Sequence, residues 1–320
     1  MRKFILTFGA FICYTLIMSL CSVFLYLNYY RINLKDLPAP NLSNSYSYNE
    51  KMEFLQKNKI NLDIIAIGSS MTLNNLNSKI ITKRLKSDSY INTASWGMSI
   101  KDNFLLLKTL SDLHTPKTLI VCSNILDFQQ KEKNVKYPIL KHYLTSNKVY
   151  LALTIIQTFS LEYYIKNLSY AKKVRSCKNN YEFLKFDKFG GVNFDNKDFQ
   201  INENRWNQHF VNKKTIDFQY SYLDSISTFC KNKNIKLYFF QSPIRNGLYS
   251  KLNKKEIYHL QSHINKIKVI LKKDSHLFVN SNNIKWNDNL FVDGIHLNTK
   301  GSKLFTEYCF NNINNPTQLP

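Results

Sequence analysis

The strongest constraint on this chain is its first apolar run. Residues 4–30, FILTFGAFICYTLIMSLCSVFLYLNYY, are 27 in number and carry no charge. About 20 apolar residues wound as a helix cross the hydrocarbon core of a bilayer. A helix that is apolar all round has no polar face to give to water, so it cannot lie on a soluble surface. Residues 1–30 are therefore expected to be a single transmembrane anchor. Arg2 and Lys3 precede the run, and Arg31 and Lys35 follow it. The leading pair, with the amino group, favours a cytoplasmic amino end. Tyr26, Tyr29 and Tyr30 fall at the far interface, where aromatic belts form. A cleaved signal peptide is the alternative. Its apolar core runs about 7–15 residues to a small-residue cleavage site. This run is longer and has no A-x-A, and Leu20 before Cys21 is too large for lipoprotein cleavage. The expectation is an uncleaved, single-pass cell-membrane protein whose remaining chain lies outside the cytoplasm.

That remainder can form a core. Of 320 residues, 44% are hydrophobic and 21% charged, which is globular composition and not disorder. Lys and Arg number 44 against 22 acids, a net charge of +22. Such a balance suits an anionic partner. The basic residues are scattered, no nucleic-acid-binding motif is present, and an external domain has no access to nucleic acid, so none is expected as a partner. The chain's richness in Asn, Ile and Tyr also fits an AT-rich coding bias that swaps arginine for lysine. Six cysteines exclude a disulfide-dense scaffold. Cys122, Cys177, Cys230 and Cys309 match no metal spacing. Cys122 lies in a predicted buried strand, and pairing among the others stays open.

Residues 31–55 are polar and broken by Pro38 and Pro40, and read as a stalk. From 56 to 310 short apolar runs alternate with amphipathic ones. Strands are predicted over 62–67 (LDIIAI), 90–92, 118–122 (TLIVC), 235–241 (IKLYFFQ) and 277–279. Helices are predicted over 78–85, 101–110, 216–231, 254–272 and 299–310, and 311–320 is a tail. This alternation implies an α/β fold, a parallel sheet with helices on its faces. Residues 130–215 break the rhythm and are expected to be an insertion near the sheet's edge, a lid being one reading. Within it, 149–161 is apolar but only 13 residues long, too short to span a membrane and suited to a buried or interfacial helix. Residues 178–212 are polar and aromatic, with Phe-Gly-Gly at 189–191.

Ligands of open parallel sheets bind beyond the carboxyl ends of the strands, and three short segments fall there. Gly68-Ser69-Ser70 follows the first strand directly. A serine at a strand-to-helix turn can present its hydroxyl to substrate and its N–H to a developing oxyanion. A helix cap accounts for a serine there equally well. Asp293-Gly294-Ile295-His296 precedes the last helix. An imidazole base needs a carboxylate on its other nitrogen to fix tautomer and orientation, and Asp293 can reach back to His296. A loop aspartate beside a surface histidine is the plain alternative.

Taken together, these segments resemble the SGNH (GDSL-type) hydrolase superfamily over roughly residues 60–310, insertion excluded. Gly68-Ser69-Ser70 is similar to its first block, 92–97 (NTASWG) to its second, 122–124 (CSN) to its third and 293–296 (DGIH) to its last. The resemblance implies a three-layer, flavodoxin-like α/β domain. It implies Ser70 as nucleophile, His296 as base and Asp293 as its orienting acid. It also implies an oxyanion hole made by the N–H groups of Ser70 and Gly97 and the side chain of Asn124. Ser69 stands where the family has Asp. Cys122-Ser123-Asn124-Ile125 stands for G-x-N-D, which leaves nearby Asp127 as an alternative polar residue. Anchor and motif together are similar to membrane-anchored branches that serve polysaccharide O-acetylation and D-alanyl transfer to lipoteichoic acid. The implied activity is that of a serine esterase or O-acyltransferase on an acylated envelope polysaccharide or other glycan. It would work through an acyl-serine, without cofactor or metal, with a membrane-embedded acyl-donor protein as a possible partner. The competing expectation is a catalytically silent glycan-binding or assembly factor.

Other residues carry less specific signals. Trp96 can stack on a sugar ring or fill the core, as can Trp206 and Trp286. Arg245, after the strand at 235–241, can hold an anionic group or be a solvated loop cation. His259 and His263 are four apart, but Leu260 replaces the glutamate of H-E-x-x-H and no third ligand is evident.

Overall fold

The computed structural model describes residues 1–29, 37–58, 62–145, 148–176, 182–194, 205 and 211–313. Tyr30, Arg31, Lys35, Cys177, Trp206 and residues 314–320 of the tail lie outside them, as do the side chains of Tyr26 and Tyr29. The chain divides into two compact units, Met1–Pro38 with Leu161–Lys172, and Ala39–Ser160 with Lys173–Pro320.

The first unit contains helix α1 (Arg2–Tyr29). Its stretch Arg2–Leu25 has a mean hydropathy of 2.1, is long and apolar enough to cross a membrane, and has none of its side chains buried in protein. The few hydroxyls in it are satisfied locally. Thr7, Thr15 and Ser22 each donate to the carbonyl four residues back, at 2.7–2.9 Å. Such back-bonding hides polar groups that lipid cannot solvate.

The second unit is built on a five-stranded, all-parallel sheet. Its strands are β1 (Ile64–Gly68), β2 (Tyr90–Asn92), β3 (Thr118–Ser123), β4 (Lys236–Gln241) and β5 (Leu277–Asn280), in the order β2-β1-β3-β4-β5. Strand and helix bounds fall within a few residues of the sequence expectation. The near-continuous burial of β1, β2 and β3 follows from helices covering both faces. Side chains alternate between two cores, as the period of two requires. Ala66, Ile120, Cys122 and Phe240 face one core, with α3 (Ser70–Asn75), α4 (Ser78–Leu85) and α12 (Thr299–Asn312). Ile65, Ile67, Val121 and Phe239 face the other, with α5 (Ile100–Ser111), α9 (Asp217–Asn232) and part of α11 (Lys254–Lys273). Cys122, Cys230 and Cys309 are free thiols buried in these cores.

One region differs from expectation, and a second keeps one of its two alternatives. Residues 39–55, read as part of a stalk, instead pack against the second core. Ala39 and Leu42 are buried, and α2 (Tyr46–Lys57) buries Tyr48, Met52 and Leu55. These three sit four and three apart on one helical face, a stripe obscured in sequence by the surrounding Ser and Asn. The buried Lys51 of α2 donates to the carbonyls of Asn92 (3.0 Å) and Gly190, and its ammonium lies 3.9 Å over the Phe186 ring. It thereby ties the turn at 187–191, where Phe189 O accepts from Asn92 N at 2.7 Å, to the end of edge strand β2.

The insertion also holds α6 (Tyr137–Thr145), α7 (Lys148–Thr158) and α8 (Leu161–Ser176). On and just after α7, Ile156 and Phe159 are 71% and 60% exposed, so this apolar segment is not a core helix. Of the insertion at 130–215, for which a lid was one reading, residues 146–147, 177–181, 195–204 and 206–210 lie outside the described residues.

Candidate active site

The site begins where β1 ends. Gly68 has φ +154°, and a Cβ there would fall 2.0 Å from Thr72 Oγ1. That hydroxyl sits between strands, 2.7 Å from Cys122 O and 2.9 Å from Ile67 O, and accepts from Cys122 N at 2.9 Å. Only glycine leaves room for it, and the chain can then turn sharply into α3. Ser69 caps that helix by accepting from Met71 N at 3.1 Å. Ser70 becomes the first helical residue. Its N–H, in the first turn, has no intrahelical acceptor.

The last loop comes to meet it. His296 Nε2 lies 2.9 Å from Ser70 Oγ, and His296 Nδ1 lies 2.8 Å from Asp293 Oδ2. Asp293 Oδ1 accepts the backbone N–H groups of Ile295 (2.9 Å) and His296 (2.8 Å). Burial by itself pushes the Asp293 carboxyl up, but the charge and hydrogen bond of His296 and these two N–H groups outweigh it and hold the group below its usual value. Asp293 and His296 are buried while Ser70 is partly exposed, so an anchored base faces a reachable hydroxyl. Residues 226 apart in sequence are thus joined in one hydrogen-bonded chain.

Two side chains that sequence reading passed over, and one backbone N–H, hold this loop. Asn75, wholly buried at the end of α3, accepts from Leu297 N at 2.8 Å and donates to Ile295 O (3.0 Å) and Ser242 Oγ (2.8 Å). Arg205, from the insertion, places Nε 3.5 Å from Asp293 Oδ2. Arg245 N donates to Gly294 O at 3.2 Å. The Arg245 guanidinium, expected to face an anionic ligand or solvent, is buried and paired with Asp288 Oδ2 at 2.9 Å. An Asn75→Ala variant leaves two backbone groups of the histidine loop without partners. We expect it to lose about 1–3 kcal/mol of stability and about 10- to 100-fold in kcat, with little change in KM. Steady-state kinetics beside a thermal melt check this, and an unchanged kcat contradicts it.

The remaining expected residues lie on the neighbouring strand ends. Gly97, with φ +61°, follows the half-buried Trp96 in a turn after β2. Asn124 follows β3 and is buried. Its Oδ1 accepts from Leu126 N at 2.9 Å and its Nδ2 lies 3.1 Å from Met71 Sδ. Asn124 begins a 3-10 turn, Ile125–Phe128, whose Asp127 accepts from Ser123 Oγ at 2.7 Å and hydrogen-bonds Ser69. A carboxylate therefore stands beside Ser69. Trp286 is a core residue, its Nε1 donating to Ser281 O at 2.8 Å and its ring meeting Phe305 and Tyr308. His263 is bound to Tyr220, Nδ1 to Oη 2.8 Å, and the described residues hold no cluster of three or more metal-ligating side chains.

Asp127 gives the site a pH signature. Burial pushes its carboxyl up to about 6, against the pull of Ser69, Ser123, Asn124 N and the His296 charge. The folded state then holds this proton more tightly than the unfolded chain, so stability falls as pH rises from about 4 to about 6. In Asp127→Asn this contribution is absent. The difference in unfolding free energy between wild type and variant should change by on the order of 3 kcal/mol across that window. Denaturant titrations at each pH measure it, and a constant difference contradicts the assignment.

No protein-family model matches the chain, and no curated protein matches it significantly. Solved structures to which it is similar include a GDSL-like lipase from Bacteroides thetaiotaomicron, with 12% identity, 83% of this chain and 97% of that one covered, and a TM-score of 0.42. A mutant of an acetyl-xylooligosaccharide esterase from Geobacillus has 10% identity, 80% and 96% coverage and a TM-score of 0.42. A lipase/acylhydrolase from Enterococcus faecalis has 9% identity, 79% and 95% coverage and a TM-score of 0.41.

Proposed function

We propose that this chain is a membrane-anchored, SGNH-type serine esterase or O-acyltransferase that acts on a cell-envelope polysaccharide from outside the cytoplasm. The observation that carries the reading is the chain from Ser70 Oγ through His296 to Asp293, at 2.9 and 2.8 Å, ending in a partly exposed hydroxyl. His296 Nε2 takes the Ser70 proton as Oγ bonds to the ester carbonyl carbon. The carbonyl oxygen becomes an oxyanion and accepts hydrogen bonds from the N–H groups of Ser70 and Gly97 and from Asn124 Nδ2. Asp293 stabilises the imidazolium. The imidazolium then protonates the departing alcohol as its C–O bond breaks, leaving acyl-Ser70. Water, deprotonated by the same imidazole, yields hydrolysis, and a sugar hydroxyl yields transfer. Helix α1 supports the anchored placement. A membrane-embedded acyl-donor protein is the partner this reading calls for in the transfer case.

The test offers the full chain in detergent an O-acetylated oligosaccharide and an unacylated one, and follows both by mass spectrometry. Acyl loss from the first and acyl gain on the second are expected. Gain on water alone removes the transferase half, and no acyl loss contradicts the enzyme reading.

A further inference from the structure

A second pocket opens on the same edge of the sheet. It is a cavity of about 130 Å³ lined in part by Lys213, Lys214, Thr215, His259, His263 and Lys266, and no carboxylate is among the described residues that line it. One residue of its lining carries an unused donor. His263 is 2% exposed, and its Nε2 is buried without a hydrogen-bond partner. Thr215 hydrogen-bonds the Tyr220 hydroxyl, which lies 2.8 Å from His263 Nδ1. Burial, then the charge of Lys266, keeps the imidazole neutral down to about 3. A neutral ring whose Nδ1 accepts from Tyr220 carries its hydrogen on Nε2. A buried N–H and three ammonium groups together call for a ligand that only accepts and is negatively charged. Cationic residues from different elements, acting as point charges, suit the several oxygens and the double charge of phosphate.

We propose that this pocket binds a phosphate group borne by the substrate of the Ser70 site, an assignment that rests on the esterase reading above. Its connection to that site runs through the 3-10 turn after β3. Ile125 lines the pocket and is the residue after Asn124. Phe128, at the end of the same 3-10 turn, packs its ring 4.7 Å from that of His263. The body of the ligand has room beside it. Tyr220, Ser262 and Lys266 are shared with an adjoining groove of about 650 Å³ that the 68% exposed Tyr258 also lines. Lys266 lies 4.7 Å over the Tyr220 ring and 3.8 Å from Asp217, an exposed pair that solvent weakens.

Calorimetric titration of the full chain in detergent with inorganic phosphate, glucose 1-phosphate and methyl glucoside tests this. Both phosphates should bind, the sugar phosphate about fivefold tighter or more, and the neutral glucoside should not. Lys214→Ala with Lys266→Ala should weaken both phosphates by about tenfold or more. Lys268→Ala with Lys272→Ala, the same charge loss at two α11 positions that do not line the pocket, should bind as wild type does. No phosphate binding, or equal losses in the two double variants, overturns the pocket. Equal affinity for inorganic and sugar phosphate overturns its assignment to the substrate. Heat of binding is read without turnover, so a failed pocket and a failed esterase reading give different results.

Discussion

Ser70→Ala is expected to lower kcat/KM for an acyl ester by about 10⁴-fold or more while leaving the fold intact. The size follows from what the hydroxyl does. It supplies the bond-forming oxygen, 2.9 Å from His296 Nε2, and alanine has no atom that can replace it. The substitution removes one partly exposed oxygen. Ser69 still caps α3, and the backbone N–H of residue 70 remains. Stability should therefore change by less than about 1 kcal/mol. Steady-state turnover of an activated acetyl ester, with a thermal melt alongside, measures both. Turnover within tenfold of wild type contradicts the nucleophile assignment.

Asp293→Asn is expected to cost nearly as much, about 10⁴-fold in kcat, for a different reason. The carboxylate accepts from His296 Nδ1, so the ring presents a bare Nε2 to Ser70. An amide at this position can donate to Nδ1 instead. The ring hydrogen then moves to Nε2, where the base can no longer accept the Ser70 proton. The other oxygen of the side chain still accepts from Ile295 N and His296 N, so the loop keeps its shape. Rate and structure therefore separate: kcat should collapse while KM moves little. The ¹⁵N shifts of the His296 ring report the tautomer. An unchanged tautomer with unchanged kcat contradicts the assigned role.

Much of this was legible in the sequence, because strand ends carry their own signs. Gly68 and the serine pair follow an isoleucine-rich strand, and Asp293 and His296 are three apart beside Gly294. These are local patterns, and the parallel topology alone brings them to one edge. Contacts made by residues with no local pattern stayed hidden. Asn75 looks like any helix-end asparagine until Leu297, 222 residues on, is seen to donate to it. Arg245 reads as a loop cation because Asp288, 43 residues away, closes on it only in the folded chain. Helix α2 was missed because its apolar stripe of Tyr48, Met52 and Leu55 is diluted by polar neighbours. Asp127 bonds Ser69 from the turn after a different strand, a pairing that neither segment displays alone.

The central claim is an assembled nucleophile and base. The most direct measurement is covalent labelling of the full chain in detergent by a serine-directed fluorophosphonate, followed by peptide mapping, with Ser70→Ala and His296→Ala as controls. The account predicts a single adduct on Ser70 in the wild type, absent from the first variant and slowed by orders of magnitude in the second. A folded wild type that takes no label, or labelling that survives Ser70→Ala, would contradict it.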